Sequence, residues 1–349
     1  MLIRDITAAI NPRTSVTVAV LYCGVMVDSS VPLVVLASDN VWERRREQLF
    51  AVAPHLTPIV YTGNEMLPQD VLDTIDVAFF SGDIWPERTR GFMLSALKAP
   101  RLSWLHTFSA GIDNAVFTTF RERGIRLSTS SGAAASPIAQ TVLMYMLALS
   151  RDLPLYMRHQ RNHEWKPHSF HELDGATVAV IGLGSIGLEV VRITQAMNMN
   201  VVACRRTPSG DEPCTTYPLT ELRQVVSAAD WVVIALPLTD DTRGIIDASV
   251  ISSIKEGAGF VNIGRGELVD EPALIAALQT GHIACAGLDV FAEEPLSADS
   301  PLWDMHNVLI TPHSSGQTHG SYLRGEELFV QNLRKFVQGD ALINEVPRS

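Results

Sequence analysis

Short apolar segments rich in β-branched residues alternate with amphipathic segments along most of the chain. The apolar segments predict buried strands and the amphipathic ones predict helices, because the two patterns repeat with the periods of those structures. The predicted strands cover residues 32–37, 57–61, 77–80, 102–105, 177–181, 200–204, 231–236, 259–263, 284–290 and 308–310. The predicted helices cover residues 41–52, 92–98, 138–151, 188–197, 221–229, 271–279 and 314–337. This alternation predicts an α/β fold with two doubly wound parallel-sheet domains.

The sequence also marks where some helices begin. Asp39 or Asn40 is suited to cap the first helix, because short polar side chains accept hydrogen bonds from free N–H groups. Ser136 followed by Pro137 is the corresponding start signal for the helix over 138–151. The length and position of this helix suggest that it links the two domains.

Residues 158–172 are polar and contain four histidines, two of which, His159 and His163, are four positions apart. Histidines at this spacing can bind a metal ion, but no carboxylate or cysteine pattern completes such a site. We therefore predict no metal site here, and a mobile, solvated segment instead.

The stretch from 177 to 207 is the most informative part of the chain. A predicted strand runs into a G-x-G-x-x-G pattern and then into a helix, which is the arrangement that binds dinucleotides. Gly182 permits the tight turn, Gly184 lets a pyrophosphate approach the backbone, and Gly187 lets helix and strand pack closely. Free N–H groups at the helix start, where Ser185 and Ile186 lie, then hold the phosphates. A glycine-rich turn of another α/β protein is the alternative, and the flanking strands argue against it.

The end of the next strand indicates which dinucleotide is bound. NAD-binding chains carry an acidic residue about 20 residues beyond the glycines, where it binds the ribose 2′-hydroxyl. This chain has Arg205, Arg206 and Thr207 there, and guanidinium groups suit a 2′-phosphate. We therefore predict NADP(H) as the preferred cofactor, with NAD(H) also accepted. A solvated surface pair is the alternative interpretation of the two arginines.

Composition excludes several classes of function. The formal net charge of −11 argues against nucleic acid or an anionic membrane as the main partner. The cysteines Cys23, Cys204, Cys214 and Cys285 form no regular framework, so a cytoplasmic protein is expected. The apolar run over 16–27 is too short to span a bilayer. An extra strand, a disordered extension or a true start at Met26 explains this run better than a signal peptide does.

Three polar residues at or beyond predicted strand ends have complementary chemistry. Arg265 lies between two glycines, which suits a guanidinium aimed at a carboxylate. His313 follows the last strand and can exchange a proton near neutral pH, as ketone reduction by hydride requires. Glu294 is suited to orient that imidazole and to favour its protonated form, but the sequence does not separate it from Glu293. A surface arginine in a turn is the alternative for Arg265. For His313 or Glu294 taken alone, a structural polar contact is the more common explanation.

The first domain contains no glycine-rich dinucleotide pattern, so we expect it to serve the substrate. Ala110 and Gly111 follow a predicted strand, where open sheets place ligand contacts. Their backbone N–H groups are suited to hold a carboxylate. An ordinary turn before a helix is the alternative.

From about Gly111 to Gly316 the chain resembles the D-isomer-specific 2-hydroxyacid dehydrogenase family. The matching segments are residues 109–113, 180–187, 236–239 with Thr242, 262–266 with 269–270, 287–291 with 294–295, and 311–313. The resemblance implies a catalytic arginine at Arg265, a glutamate at Glu294 and an acid/base histidine at His313. It further implies that the substrate is bound by Ala110, Gly111, Arg265 and His313. The implied cofactor contacts outside the glycine turn are Leu236, Pro237, Thr242, Ile263, Gly264, Arg265, Asp289 and His313, with Asp289 near the nicotinamide amide.

Three positions distinguish this chain within the family that it resembles. Arg205 stands where NAD-using members carry Asp, as it does in NADPH-dependent glyoxylate/hydroxypyruvate reductases. Gln140 stands where members often carry Glu at the start of the linking helix. Glu294 argues against formate dehydrogenases, which have Gln at that position.

The resemblance implies a flavodoxin-like substrate domain over 30–131 plus 316–349 and a Rossmann NAD(P)-binding domain over 136–315. The site is expected in a cleft that closes on binding, with His106, Phe108 and Trp303 lining it by analogy of fold. The expected reaction is NADPH-dependent reduction of a small 2-oxoacid, such as glyoxylate or hydroxypyruvate, to the D-2-hydroxyacid. A homodimer is expected. The alternative function is a non-catalytic nucleotide-sensing or co-repressor module on the same fold.

Overall fold

The computed structural model describes residues 32–347, which form two compact units. Residues 32–133 and 318–347 belong to one unit, and Ala134–Gln317 form the other. Cys23, Met26 and the apolar run over 16–27 lie outside the described residues. Within residues 32–347, no helix is long and apolar enough to cross a membrane.

The first unit is built on a five-stranded parallel sheet with the order β2-β1-β3-β4-β5. Its strands are β1 (Val34–Ser38), β2 (Thr57–Tyr61), β3 (Val77–Phe80), β4 (Trp104–Thr107) and β5 (Arg126–Thr129). Its first four helices are α1 (Asp39–Val52), α2 (Gln69–Leu72), α3 (Thr89–Lys98) and α4 (Ala115–Glu122). This strand order is that of flavodoxin-like folds, so the predicted architecture is confirmed.

The second unit is built on a seven-stranded parallel sheet with the order β12-β11-β10-β9-β6-β7-β8. Its strands are β6 (Thr177–Ile181), β7 (Asn200–Arg205), β8 (Thr215–Pro218), β9 (Trp231–Ile234), β10 (Ala258–Asn262), β11 (Ile283–Leu288) and β12 (Val308–Ile310). Its helices are α5 (Ala135–Ser150), α6 (Leu153–Arg161), α7 (Ser185–Ala196), α8 (Leu222–Ser227), α9 (Ala248–Ser253) and α10 (Glu271–Thr280). The chain order reverses between β6 and β9, as it does in dinucleotide-binding sheets, and the predicted Rossmann fold is confirmed.

Burial on both faces explains why the central strands are continuous apolar runs. In β6, Val178 and Val180 pack in one cluster with Tyr145 of α5, whereas Ala179 and Ile181 belong to a second cluster. A strand covered on both faces has no solvent side on which polar residues would alternate.

The last helix, α11 (His319–Gln338), completes the core of the first unit. Phe329 stacks on Phe79 of β3 with ring centroids 4.5 Å apart, and Trp104 of β4 lies against Phe329 and Phe336. The helix is also tied to α1, because the buried carboxylate of Glu326 pairs with Arg44 and Arg45.

Both predicted helix-cap signals were wrong. Ser38, rather than Asp39 or Asn40, caps α1, with its Oγ accepting a hydrogen bond from the N–H of Val41 at 3.1 Å. The second error concerns α5, which begins at Ala135, so that Ser136 and Pro137 lie inside its first turn. The chain turns at Gly132, where φ is 91°, and then enters the helix without a polar cap.

The predicted mobile segment is partly helical, which corrects that interpretation. α6 extends to Arg161 and is capped by Asp152, whose carboxylate accepts a hydrogen bond from the N–H of Leu155 at 3.3 Å. A proline in the first turn and basic residues in the last turn suit a short helix.

Candidate active site

The glycine turn lies at the carboxyl end of β6, and its three glycines meet different demands. A Cβ at Gly182, where φ is 108°, would lie 2.6 Å from the carbonyl oxygen of Ala235. A Cβ at Gly187 would lie 1.9 Å from the carbonyl oxygen of Gly182, so any side chain there would push α7 away from β6. Gly184 has open space beside it and is the N-cap of α7. The first and third glycines therefore shape the turn, and the second leaves room for a ligand.

The start of α7 has the donors that a pyrophosphate needs. No side chain within the described range caps this helix, and Gly184 and Ser185 are exposed. Free N–H groups and the positive end of the helix dipole bind anions. The residues present, Ser185 and Ile186 included, fit the phosphates of a dinucleotide.

Arg205 is the last residue of β7, which pairs with β6 and brings it beside the glycine turn. Its Nη1 lies 3.0 Å from Oε1 of Glu212. Arg206 is exposed and pairs with Asp241 at 3.1 Å, and Thr207 follows in an exposed bend. The predicted basic group therefore lies at the edge of the sheet where the ribose of a dinucleotide would be bound.

The loop after β9 lines the point at which the strand order reverses. Thr242 is buried, and its hydroxyl donates to the carbonyl of Pro237 at 2.7 Å while accepting from the N–H of Thr239 at 2.8 Å. Leu236 is buried, and its carbonyl oxygen lies 2.8 Å from where a Cβ on Gly264 would be. Thr242 thus holds the loop in shape through its hydroxyl.

Arg265 lies in the loop that follows β10. Asn262, a residue to which the sequence analysis gave no role of its own, keeps this loop in place. The side chain of Asn262 accepts from the N–H of Gly264 at 3.1 Å and donates to the carbonyl of Arg265 at 3.0 Å. Ile263 is buried, and Gly266 packs so closely on Phe291 that no Cβ fits. Asn262 could have been recognised from the sequence, because an asparagine at a strand end can satisfy two backbone groups at once with its amide.

His313 and Glu294 form a pair in this unit. Nδ1 of His313 lies 2.8 Å from Oε2 of Glu294, and Oε1 of Glu294 accepts from the N–H of Phe291 at 3.1 Å. The imidazole is 45% exposed, and its Nε2 makes no hydrogen bond to any described residue. Glu293 is exposed and has no hydrogen bond or ion pair in the described chain, so the structure separates the two glutamates.

The pKa of Glu294 shows that Arg265 acts on the same site. Burial is the largest single influence and raises this pKa, but the hydrogen bond and the charge of His313 are the main causes that lower it, and the pKa lies below its ordinary value. The N–H of Phe291 and the charge of Arg265 lower it further. The structure therefore brings the guanidinium, the carboxylate and the imidazole into one electrostatic group.

Asp289 lies just beyond β11 and holds the backbone that carries His313. Its buried carboxylate accepts from the N–H of Ser314 at 2.9 Å and from the hydroxyl of Thr311, and its carbonyl accepts from the N–H of His313 at 2.8 Å. His313 has a φ of 51°, a left-handed conformation that non-glycine residues seldom adopt. The predicted contact of Asp289 with a nicotinamide amide stays a prediction.

Ala110 and Gly111 belong to the first unit and lie in the loop after β4. The hydroxyl of Ser109 donates to the carbonyl of Gly111 at 2.9 Å, and no acceptor in the described part of this unit takes the N–H groups of Ala110 or Gly111. His106 was wrongly expected to line a pocket. It is buried within the sheet, with its ring nitrogens 2.7 Å from Oγ of Ser128 and 3.1 Å from Oγ of Ser130.

Comparison with known proteins agrees with this geometry. Residues 143–315 match the family described as "D-isomer specific 2-hydroxyacid dehydrogenase, NAD binding domain". Glyoxylate/hydroxypyruvate reductase B of Enterobacter sp. (strain 638) is 35% identical over 250 residues, which cover 70% of this chain and 77% of that protein. The reductase of the same name from Salmonella newport is 36% identical over 249 residues, covering 69% and 77%.

Solved structures of similar fold point the same way. A D-isomer specific 2-hydroxyacid dehydrogenase from Xanthobacter autotrophicus Py2, in complex with NADPH and MES, has a TM-score of 0.75 at 30% identity and covers 91% of this chain and 98% of its own. An NADPH-dependent glyoxylate/hydroxypyruvate reductase from Sinorhizobium meliloti, in complex with NADP and sulfate, has a TM-score of 0.73 at 25% identity, covering 91% and 99%.

A Rossmann sheet with an open glycine turn, beside a site of arginine, glutamate and histidine, defines an NAD(P)-dependent oxidoreductase. The similarity in sequence covers more than two thirds of the chain and of its relatives. The chain belongs to the family of D-isomer specific 2-hydroxyacid dehydrogenases.

Proposed function

We propose that this enzyme reduces a small 2-oxoacid, of the size of glyoxylate or hydroxypyruvate, to the D-2-hydroxyacid with NADPH. The observation that carries the proposal is the 2.8 Å contact between His313 and Glu294 in a site that Arg265 also influences. Relatives from Enterobacter and Salmonella are named glyoxylate/hydroxypyruvate reductase B, which supports the choice of substrate class.

His313 is assigned as the donor of the proton that the ketone oxygen gains in this reaction. Glu294 accepts the hydrogen of Nδ1, which fixes the orientation of the ring and directs Nε2 away from the carboxylate. When bound, the reduced nicotinamide supplies the hydride for C2 of the oxoacid. His313 gives its Nε2 proton to the ketone oxygen as that oxygen gains charge, so the product is the hydroxyl group.

Arg265 is assigned to the substrate carboxylate. Its guanidinium is a fixed, planar set of donors that suits a carboxylate in a bidentate arrangement. The loop that carries it is held by Asn262 and by the close packing of Gly264 and Gly266. The assignment of the Ala110 and Gly111 amides to the same carboxylate stays a prediction.

The preference for NADPH is assigned to the end of β7. Arg205 carries a positive charge beside the glycine turn, and no acidic residue stands at that strand end. A guanidinium attracts a 2′-phosphate, whereas a ribose 2′-hydroxyl is best held by a carboxylate. Relatives from Xanthobacter autotrophicus and Sinorhizobium meliloti hold NADPH and NADP in their solved structures.

A panel of 2-oxoacids assayed with NADPH and with NADH tests the proposal, with His313→Ala as the key variant. We expect turnover of a small oxoacid, a higher kcat/KM with NADPH, and a fall in kcat of at least about 10² in the variant. His306→Ala is the control, because His306 is exposed in the same unit. Undiminished turnover in His313→Ala refutes the assigned proton donor. If the intact enzyme turns over no oxoacid, the non-catalytic alternative is favoured.

We also propose a cytoplasmic homodimer that has neither a membrane nor a nucleic acid as a partner. Cys204, Cys214 and Cys285 are free thiols, as a reducing compartment allows. The second unit has exposed apolar side chains on three helices and the segment after α6: Met144, Leu147, Leu153, Met157, Trp165 and Leu188. A second copy of this chain would cover them.

A further inference from the structure

A short turn after β7 is organised around one carboxylate. Oε1 of Glu212 accepts from the N–H of Ser209 at 2.6 Å, and Oε2 accepts from the N–H of Gly210 at 2.8 Å. The hydroxyl of Ser209 adds a third contact at 2.8 Å. Only 5% of the Glu212 side chain is exposed. The carboxylate is therefore held by the backbone of the turn and does not move freely in solvent.

The same carboxylate contacts Arg205 through a single guanidinium nitrogen, Nη1. Nη1 of Arg205 lies 3.0 Å from Oε1 of Glu212 and 3.4 Å from the hydroxyl oxygen of Ser209. Nε and Nη2 of Arg205 have no hydrogen-bond acceptor among residues 32–347. The opposite edge of the guanidinium, which offers two parallel N–H groups, is thus left for a ligand.

Glu212 stays negatively charged at neutral pH. The N–H of Ser209 is the main cause that lowers the pKa of this carboxyl group to about 2, and the Ser209 hydroxyl and the N–H of Gly210 act in the same direction. An arginine held by a permanently ionised partner loses less side-chain freedom when it binds an anion.

We infer that Glu212 is a positioning residue for the 2′-phosphate of NADPH, because it holds Arg205 through Nη1 and leaves the Nε–Nη2 edge without an acceptor among residues 32–347. The inference rests on the proposed use of NADPH. A carboxylate near the binding site would weaken phosphate binding if electrostatic repulsion between the two anions prevailed. The observed contacts favour positioning, since Glu212 occupies only Nη1 and its charge faces the N–H donors of its own turn.

Binding of 2′,5′-ADP and of 5′-ADP, measured by titration calorimetry on the full chain, isolates the contribution of the 2′-phosphate. The variants are Glu212→Gln, Glu212→Ala, Arg205→Ala and the double variant with alanine at both positions. Glu189→Gln is the control, because Glu189 lies on α7 in an i,i+3 pair with Arg192 and does not contact Arg205.

We expect both Glu212 variants to bind 2′,5′-ADP about two- to fivefold more weakly and to bind 5′-ADP unchanged, the scale of a single exposed ion pair. Glu212→Ala should have no further effect once Arg205 is alanine, because the carboxylate acts through the guanidinium. Glu189→Gln should bind both nucleotides as the unmodified enzyme does.

Four results overturn the inference. Tighter binding of 2′,5′-ADP by Glu212→Gln would show that repulsion prevails, and equal weakening of both nucleotides would show a general structural role. Unchanged binding in both Glu212 variants, with a clear loss in Arg205→Ala, defeats the role of Glu212 alone. Unchanged binding of 2′,5′-ADP in Arg205→Ala defeats the proposed NADPH site itself.

Discussion

Glu293 and Glu294 are neighbours of the same chemistry, and only the second lies against an imidazole. We expect Glu294→Gln to lower kcat for oxoacid reduction about 10- to 100-fold, because a neutral amide orients the His313 ring but no longer balances its charge. Steady-state kinetics with saturating cofactor measures the change. Glu293→Gln is the matched control and should leave kcat unchanged. A loss in Glu293→Gln as large as that in Glu294→Gln would contradict the assignment.

We expect His106 to make the stability of the first unit depend on pH. Burial lowers the pKa of His106 to about 3, whereas an unfolded histidine has a pKa of about 6.5. Between these values the unfolded chain binds one proton more than the folded chain does. The stability contributed by neutral His106 is therefore present above about pH 6.5 and is lost as the pH falls, by at most about 1.4 kcal/mol per pH unit.

Urea unfolding at about pH 7 and pH 5 checks this linkage. In His106→Gln, we expect the free energy of unfolding to fall less between the two pH values than in the unmodified protein. His55→Gln, at an exposed position, should keep the original pH dependence. An unaltered pH dependence in His106→Gln would mean that other groups govern acid unfolding.

Single residues also show where sequence reasoning ends. Arg265 and His313 could be proposed from the sequence because each stands at or past a strand end with a side chain that suits the chemistry, whereas only the family resemblance separated Glu294 from Glu293. Glu212 was not, because its contact with Arg205 crosses an irregular turn that has no periodic pattern. His106 was misassigned to a pocket, since a polar residue in a strand gives no sign that two serines will satisfy it in the core.

At the scale of elements, two glycines of the turn between β6 and α7 have different roles. Gly187 allows close packing, and Gly184 leaves room for a ligand. In Gly187→Ala the new methyl group meets the carbonyl of Gly182, and we expect a loss of stability of about 1–3 kcal/mol. Gly184→Ala has open space and should stay within about 0.5 kcal/mol of the original stability. The methyl group at residue 184 should instead weaken NADPH binding, because it points to where the phosphates would lie.

Thermal unfolding without cofactor and NADPH titration, each on both variants, separate the two effects. If Gly184→Ala binds NADPH as tightly as the unmodified protein does, the pyrophosphate does not bind at this turn. A Gly187→Ala protein of full stability would show that α7 shifts at no cost.

The apolar strands of both sheets were predictable, and two polar edge strands were not. β3 and β6 lie at the predicted positions, because buried parallel strands carry continuous apolar runs. The edge strands β2 and β12 also lie at the predicted positions, since they consist mostly of β-branched and other apolar residues. The edge strands β5 and β8 were missed, since Arg126–Thr129 and Thr215–Pro218 are short and rich in polar residues. At an edge, pairing with one neighbour defines a strand that its own side chains do not announce.

At the scale of the whole molecule, assembly is the property most open to test. We expect the unmodified chain to sediment as a dimer and Met157→Asp to sediment as a monomer, because a charge in an apolar contact is left without a partner. Met66→Asp is the matched control, an exposed methionine in the first unit. Dimers of unchanged stability in Met157→Asp, by sedimentation over a range of concentrations, would exclude this surface as the interface.

The two units differ in how the chain builds them, and this sets an order of events during synthesis. Ala134–Gln317 is one continuous stretch, whereas the first unit needs α11, which the ribosome makes only after Gln317. Until then, the β3 and β4 residues Phe79 and Trp104 lack their partners Phe329 and Phe336. The nascent protein therefore completes its nucleotide-binding half first, and a chain that stops before residue 319 would leave an aromatic surface open to chaperones and proteases.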